Sequence, residues 1–140
     1  IIILKRREGY REVFHNFDPI KVSKMTEDDI QTALLNPGII RNKLKVRAAV
    51  TNAKVFLQIV SEFGSFNNYI WGFVDNKPII NHWDSNDQVP AKTDLSDRIS
   101  TDLVHRGMKF VGSTIIYAHM QATGIINDHL VSCFRHKQLC

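Results

Sequence analysis

Apolar residues recur along most of the chain at the three-and-four spacing of a helix face, and almost nowhere at the alternation of a strand. Ile3, Tyr10, Phe14 and Phe17 fall on one helical stripe that fades near Asn16-Phe17. Asp18 before Pro19 reads as an N-cap with proline at the first helical position. Thr26 with Asp29 resembles a capping box, opening a helix that ends at Asn36-Pro37-Gly38. Val46, Ala49, Val50, Ala53, Leu57 and Val60 predict a long amphipathic helix closed by Gly64. Ser65 is placed to cap a short aromatic helix through Phe66, Tyr69, Ile70 and Phe73. From Asp75 to Ser96 the periodicity is lost, with Ile79, Ile80, Trp83 and Val89 as the only anchors. A connection over 75–96 must either pack down or join two helical lobes. Helices are then expected over 97–106 and 113–123, around a glycine-flanked loop, with a short last helix over 127–134. The expected fold class is all-α, one helical domain over 1–140.

Composition changes this picture little. With 140 residues and 44% hydrophobic content, the chain can bury a real core. No apolar run approaches the ~20 residues of a membrane-spanning helix, so no membrane partner is expected. Ile1-Ile2-Ile3-Leu4 is too short for a signal-peptide core and runs straight into Lys5-Arg6-Arg7. It looks like the middle of a buried helix, so the domain is expected to lack its N-terminal segment. Cys133 and Cys140 make no disulfide framework, and a reducing, cytoplasmic setting is expected. The net charge of +4 permits an anionic partner. Its excess is local: between Gly38 and Lys54 stand Arg41, Lys43, Lys45 and Arg47 without an acid. From charge alone, a solvated helix face is the first reading of that run.

Two segments could carry chemistry. In Arg106-Gly107-Met108-Lys109-Phe110-Val111-Gly112-Ser113-Thr114, Gly107 suits a left-handed position after a helix, and Gly112 lets something approach the backbone closely. Ser113 or Thr114 can cap the next helix, whose first N–H groups form a natural phosphate site beside Arg106 and Lys109. The functional reading is a helix-hairpin-helix over 97–124 that grips a DNA backbone. Alone, the segment reads first as an ordinary αα-hairpin with a glycine turn. His129-x-x-x-Cys133 on a helix would place two zinc ligands one turn apart, although from the spacing alone a buried His and a buried Cys are the first explanation. Glu62, Asp97 and Asp128 are scattered acids with surface explanations. Tyr117 and His119 share a helix, one of them expected to face the core. No nucleophile elbow, Walker loop or His-Glu-x-x-His is present.

The order and spacing of several pieces are more specific than any one of them. These are Leu4-Lys5-Arg6-Arg7-Glu8 with Tyr10-Arg11, Phe17-Asp18-Pro19, Gly38-Ile39-Ile40-Arg41-Asn42, Asn52-Ala53, and Gly64-Ser65-Phe66 with Trp71 and Phe73-Val74. The hairpin segment comes next, continued by Tyr117-Ala118-His119-Met120-Gln121-Ala122-Thr123-Gly124 and Asn127-Asp128-His129. Together they resemble the bacterial DNA-3-methyladenine glycosylase I family along essentially the whole chain. The resemblance implies a helix-hairpin-helix DNA glycosylase of base-excision repair, hydrolysing the N-glycosidic bond of 3-methyladenine in double-stranded DNA. It implies DNA contacts from Arg106, Gly107, Lys109, Phe110, Val111, Gly112, Ser113 and Thr114. It also implies a structural zinc held by His129 and Cys133 with a second Cys–His pair that this chain lacks; two of four ligands bind weakly. The family's pocket glutamate, tyrosine and stacking tryptophan precede the Leu4-Lys5-Arg6-Arg7-Glu8 match. No catalytic residue is therefore assigned, and the 140-residue chain alone is expected to be inactive, a DNA-binding fragment being the alternative. Met108 stands where the family usually has Phe, and His105 where Lys is common. A monomer is expected.

Overall fold

The computed structural model describes residues 1–139, with Cys140 outside them. Eight α-helices dominate the described residues: α1 (Arg7–Val13), α2 (Pro19–Ser23), α3 (Glu27–Leu35), α4 (Lys43–Phe63), α5 (Phe66–Gly72), α6 (Asp94–His105), α7 (Ser113–Ala122) and α8 (Phe134–Gln138). The all-α expectation holds. Contacts divide the chain into two compact units, Ile1–Glu62 with Arg106–Phe110, and Phe63–His105 with the residues from Val111 onward.

In the first unit, caps written in the sequence set the helix starts. Asp18 accepts from the N–H groups of Ile20 (2.9 Å) and Lys21 (3.2 Å), with Pro19 at the first position of α2. Thr26 and Asp29 form the reciprocal capping box of α3. Asn42 Oδ1 accepts from Lys45 N–H at 3.1 Å and opens α4. Phe14, Val22, Ile30, Ile39, Val46 and Val50 are buried together as the core of this unit. The stripe expected from Ile3 to Phe17 survives only at its centre. Tyr10 and Phe14 stack with centroids 6.3 Å apart, whereas Ile3 and Phe17 are exposed. The helix stops because His15, Asn16 and Phe17 all take left-handed φ (50°, 55° and 59°), a conformation costing roughly 1–2 kcal/mol per residue. Backbone comes closest where α1 meets the stretch before α4. A Cβ on Gly9 would sit 2.3 Å from the Gly38 carbonyl oxygen, so only glycine fits. Arg6 donates there to the carbonyls of Pro37 and Ile39.

In the second unit, Ser65 caps α5 by accepting from Asn68 N–H (2.9 Å). Helix α6 starts three residues before the expected position. Thr93 and Ser96 form a reciprocal pair, Thr93 N–H donating to Ser96 Oγ (2.8 Å) and Ser96 N–H to Thr93 Oγ1 (3.3 Å). Helices α6 and α7 pack on each other, burying Ile99, Leu103, Ile116, Tyr117 and Met120 in this unit. The 75–96 connection packs down. Its β1 (Ile79–Ile80) pairs in parallel with β2 (Ile126–Asn127), and Trp83 bridges to Leu130. This short ladder was not visible as strand alternation. It also displaces the helix expected over 127–134: with Ile126–Asn127 extended and the succeeding residues turning, α8 begins only at Phe134.

Candidate functional site

The loop between α6 and α7 carries most of the residues singled out above. Its part in the first unit, Arg106–Phe110, lies along one stripe of α4. The Arg106 guanidinium donates to Glu62 (2.6 and 3.4 Å), the Gly107 backbone sits where a Cβ would be 3.6 Å from Val55, and Lys45 Nζ lies 5.8 Å from the Phe110 ring centroid. Between these contacts, the Asn52 side chain takes both polar groups of one residue. Asn52 Nδ2 donates to the Lys109 carbonyl (2.8 Å), and Lys109 N–H donates to Asn52 Oδ1 (2.8 Å). Met108 is buried beneath. Gly107 has φ +104°, as its left-handed placement required, and Phe110 takes φ +57° despite its side chain. Lys109 and Phe110 are exposed.

Val111 to Thr114 belong to the second unit. Ser100 Oγ donates to the Val111 carbonyl (2.7 Å). The residue capping α7 is Gly112, not Ser113 or Thr114, and among the described residues no side-chain cap hydrogen bond is made there. Ser113 is occupied elsewhere: its hydroxyl lies 2.7 Å from Ser96 Oγ and bonds Asp97, which together with Lys92 holds the Asp97 carboxyl below its ordinary range. Gly112 is exposed at φ −61°, with nothing within 4 Å of an added Cβ. Neither strain nor crowding within the protein explains a glycine there.

The remaining candidates also lie in the second unit. Asp128 is a hub. One carboxylate oxygen accepts from Asn81 Nδ2 (2.7 Å) and Trp83 Nε1 (2.8 Å), the other from Tyr117 Oη (2.5 Å) and Gln121 Nε2 (2.9 Å). Burial pushes its pKa up, but the four donors outweigh that and leave it lowered. The same burial and bond push the Tyr117 hydroxyl well up. Asn127, buried beside it, accepts from His129 N–H (3.2 Å) and donates to the His136 carbonyl (2.9 Å). His129 and Cys133 stand on this turn rather than on a helix. His129 Nδ1 and Cys133 Sγ are 3.8 Å apart, close to the about 3.5 Å between two ligands of a tetrahedral zinc. Among the described residues no third His, Cys, Asp or Glu completes a cluster with them.

A cavity of about 280 Å³ in the first unit, walled by Phe14, Phe17, Val22, Phe56 and Met108, is almost wholly apolar. Its lining includes the Asn52 amide, which Lys109 already engages, so it offers a purine edge little to bond.

The family sequence model described as methyladenine glycosylase matches residues 1–136. The chain belongs to the methyladenine glycosylase family. It is 42% identical over 133 residues to DNA-3-methyladenine glycosylase 1 of Escherichia coli (strain K12), covering 95% of this chain and 71% of that protein. It is 45% identical over 133 residues to DNA-3-methyladenine glycosylase of Haemophilus influenzae, covering 95% and 72%. A crystal structure of 3-methyladenine DNA glycosylase I superposes with a TM-score of 0.89 at 44% identity, over 95% of this chain and 73% of that one. A variant of such an enzyme, solved in complex with 3-methyladenine, superposes at 0.91 with 32% identity, over 95% and 72%.

Within this methyladenine glycosylase chain, Asn52 was placed in the Asn52-Ala53 motif but given no role, and one acid was misjudged. Glu62 and Asp97 lie at the surface as expected, where they engage Arg106 and Ser113, whereas Asp128 is a half-buried acceptor of the four donors above. An asparagine deep inside a long helix, at some cost in helix propensity, was the available signal for Asn52. Asp128→Ala should lower unfolding free energy by about 2–3 kcal/mol, since several donors lose their acceptor together. Asp128→Asn, which keeps one acceptor, should lose less. Urea melts of both variants check this; equal stability of Asp128→Ala and parent contradicts it.

Proposed function

We propose that the chain acts in base-excision repair, hydrolysing the N-glycosidic bond of 3-methyladenine in alkylated double-stranded DNA. The family match over residues 1–136 carries this reading, supported by a relative solved with 3-methyladenine. Such an enzyme extrudes the damaged nucleotide from the stack into a pocket. Alkylation already makes the base a cationic leaving group, so shape, aromatic stacking and a nearby carboxylate meet most of the demand.

The role of this chain's own loop is to hold the DNA backbone as a helix-hairpin-helix. In the first unit the loop offers an exposed Lys109; in the second, α7 opens at Gly112 with no side-chain cap and no bulk that would keep a phosphate away. Arg106 serves this grip indirectly, by fixing the loop to Glu62. Phosphate contacts carry no sequence information, which suits a search for one lesion anywhere. The protein works as a monomer in the cytoplasm. No helix of the described chain is long and apolar enough to cross a membrane.

His129 and Cys133 supply two ligands of a structural zinc, whose contribution is to tie down the turn that bears them. Bound by this chain alone, zinc is held weakly, and Cys133→Ala should abolish even that uptake. Equal zinc content of variant and parent after dialysis contradicts the assignment.

Activity is tested by release of free 3-methyladenine from methylated duplex. The 140-residue chain should release none. Fusion to Ile1 of the segment that precedes the matched region in a relative should restore release. Release by neither protein contradicts the glycosylase reading, and release by the short chain places the chemistry within these 140 residues.

A further inference from the structure

We propose that Asn52 is a positioning residue for DNA binding, setting the backbone path of Lys109 and Phe110 from the face of α4. The inference rests on the backbone-grip reading above and adds to it the element that orients the grip.

The loop crosses α4 in a fixed register. Glu62, Val55, Asn52 and Lys45 meet Arg106, Gly107, Lys109 and Phe110 in turn, the helix positions descending as the loop positions rise. Steps of seven and three residues keep those four side chains on one stripe of the helix. Three of these interactions are loose or replaceable: an ion pair whose Glu62 side chain is 55% exposed, a van der Waals approach, and a cation over a ring at 5.8 Å. The Asn52 interaction is different in kind. A single primary amide pairs with both the N–H and the carbonyl of Lys109, at 2.8 Å each, across 57 positions of sequence. Two bonds to one residue fix its peptide planes in rotation as well as position.

Anchoring Lys109 matters because its neighbour Phe110 takes a left-handed φ of +57°, unfavourable for a side chain of that size, so the turn does not hold itself. Lys109 is the exposed cation of the loop, while the Arg106 guanidinium is engaged with Glu62. Loss of the Asn52 amide would free the Lys109 peptides and misdirect both the Lys109 side chain and the next amide. Phosphate binding would then fail while the helices persist.

Asn52→Ala and Asn52→Asp in the full 140-residue chain test this, with undamaged duplex DNA as the probe. The aspartate can still accept from Lys109 N–H but cannot donate to its carbonyl, so it should fold even if the alanine variant does not. Each variant should show the parent's helical circular dichroism, an about tenfold weaker Kd, and a salt slope of log K reduced by about one, the change expected when a single phosphate is no longer neutralised. Lys109→Ala should reduce the slope by a similar amount, and adding Asn52→Ala to it should reduce the slope little further. Parental affinity and slope in both Asn52 variants overturn the inference while the backbone grip stands. Weaker affinity with an unchanged slope also overturns it, because that marks a merely structural role. A parent chain that binds duplex without salt dependence, or not at all, overturns the grip and this inference with it.

Discussion

Arg106–Phe110 lies outside any regular element, so the polar groups of its backbone must find partners elsewhere. For Lys109, the two hydrogen bonds with the Asn52 amide meet that constraint. Around them the other features of the loop become intelligible. Gly107 reaches a φ open to glycine while passing close to Val55, Met108 is buried, and the Arg106 guanidinium is drawn to Glu62. What is left outward is Lys109 and Phe110, one charge and one aromatic ring. The length of α4 serves this arrangement, since the stripe from Lys45 to Glu62 needs nearly all of its 21 residues.

The second unit meets a comparable problem with a side chain instead of a helix face. The 75–96 connection has little periodic hydrophobicity, and a two-residue parallel ladder is too short to hold it. Asp128 supplies the missing partner by collecting donors from Asn81 and Trp83 in the connection and from Tyr117 and Gln121 on α7. Asn127 and His136 continue the network, His136 Nε2 lying 2.8 Å from the Asn81 carbonyl oxygen. His129 and Cys133 thereby sit on a turn that this network flanks, with His129 Nδ1 and Cys133 Sγ 3.8 Å apart.

Local chemistry was the legible part of the fold. Asp18-Pro19, Thr26 with Asp29, Ser65 and Gly64 each act over a few residues, and each sits where its side chain or φ demanded. The errors had different sources. A local pair that was passed over, Thr93 with Ser96, set the start of α6, and a distant one, the pairing of Ile126–Asn127 with Ile79–Ile80, removed the helix expected at 127–134. The end of α1 was misplaced in kind, because three consecutive left-handed residues at His15, Asn16 and Phe17 have no pattern in hydrophobicity. In the site, Gly107 was readable from residue type, the helix assumed for His129 and Cys133 was not there, and the order of the motifs identified the family. The role of Asn52 was not readable, since a bond spanning 57 positions leaves no periodic trace, and Gly112 displaced Ser113 as cap because Ser96 and Asp97 hold the serine hydroxyl.

Whether the loop held by α4 is the surface that meets DNA can be measured directly, by monitoring backbone amide resonances of the chain while a short duplex is added. The amides of Lys109, Phe110, Val111, Gly112, Ser113 and Thr114 should shift most, and the shifts should fade as salt is raised. Shifts confined to other surfaces, with those six amides unmoved at saturating duplex, would contradict the account.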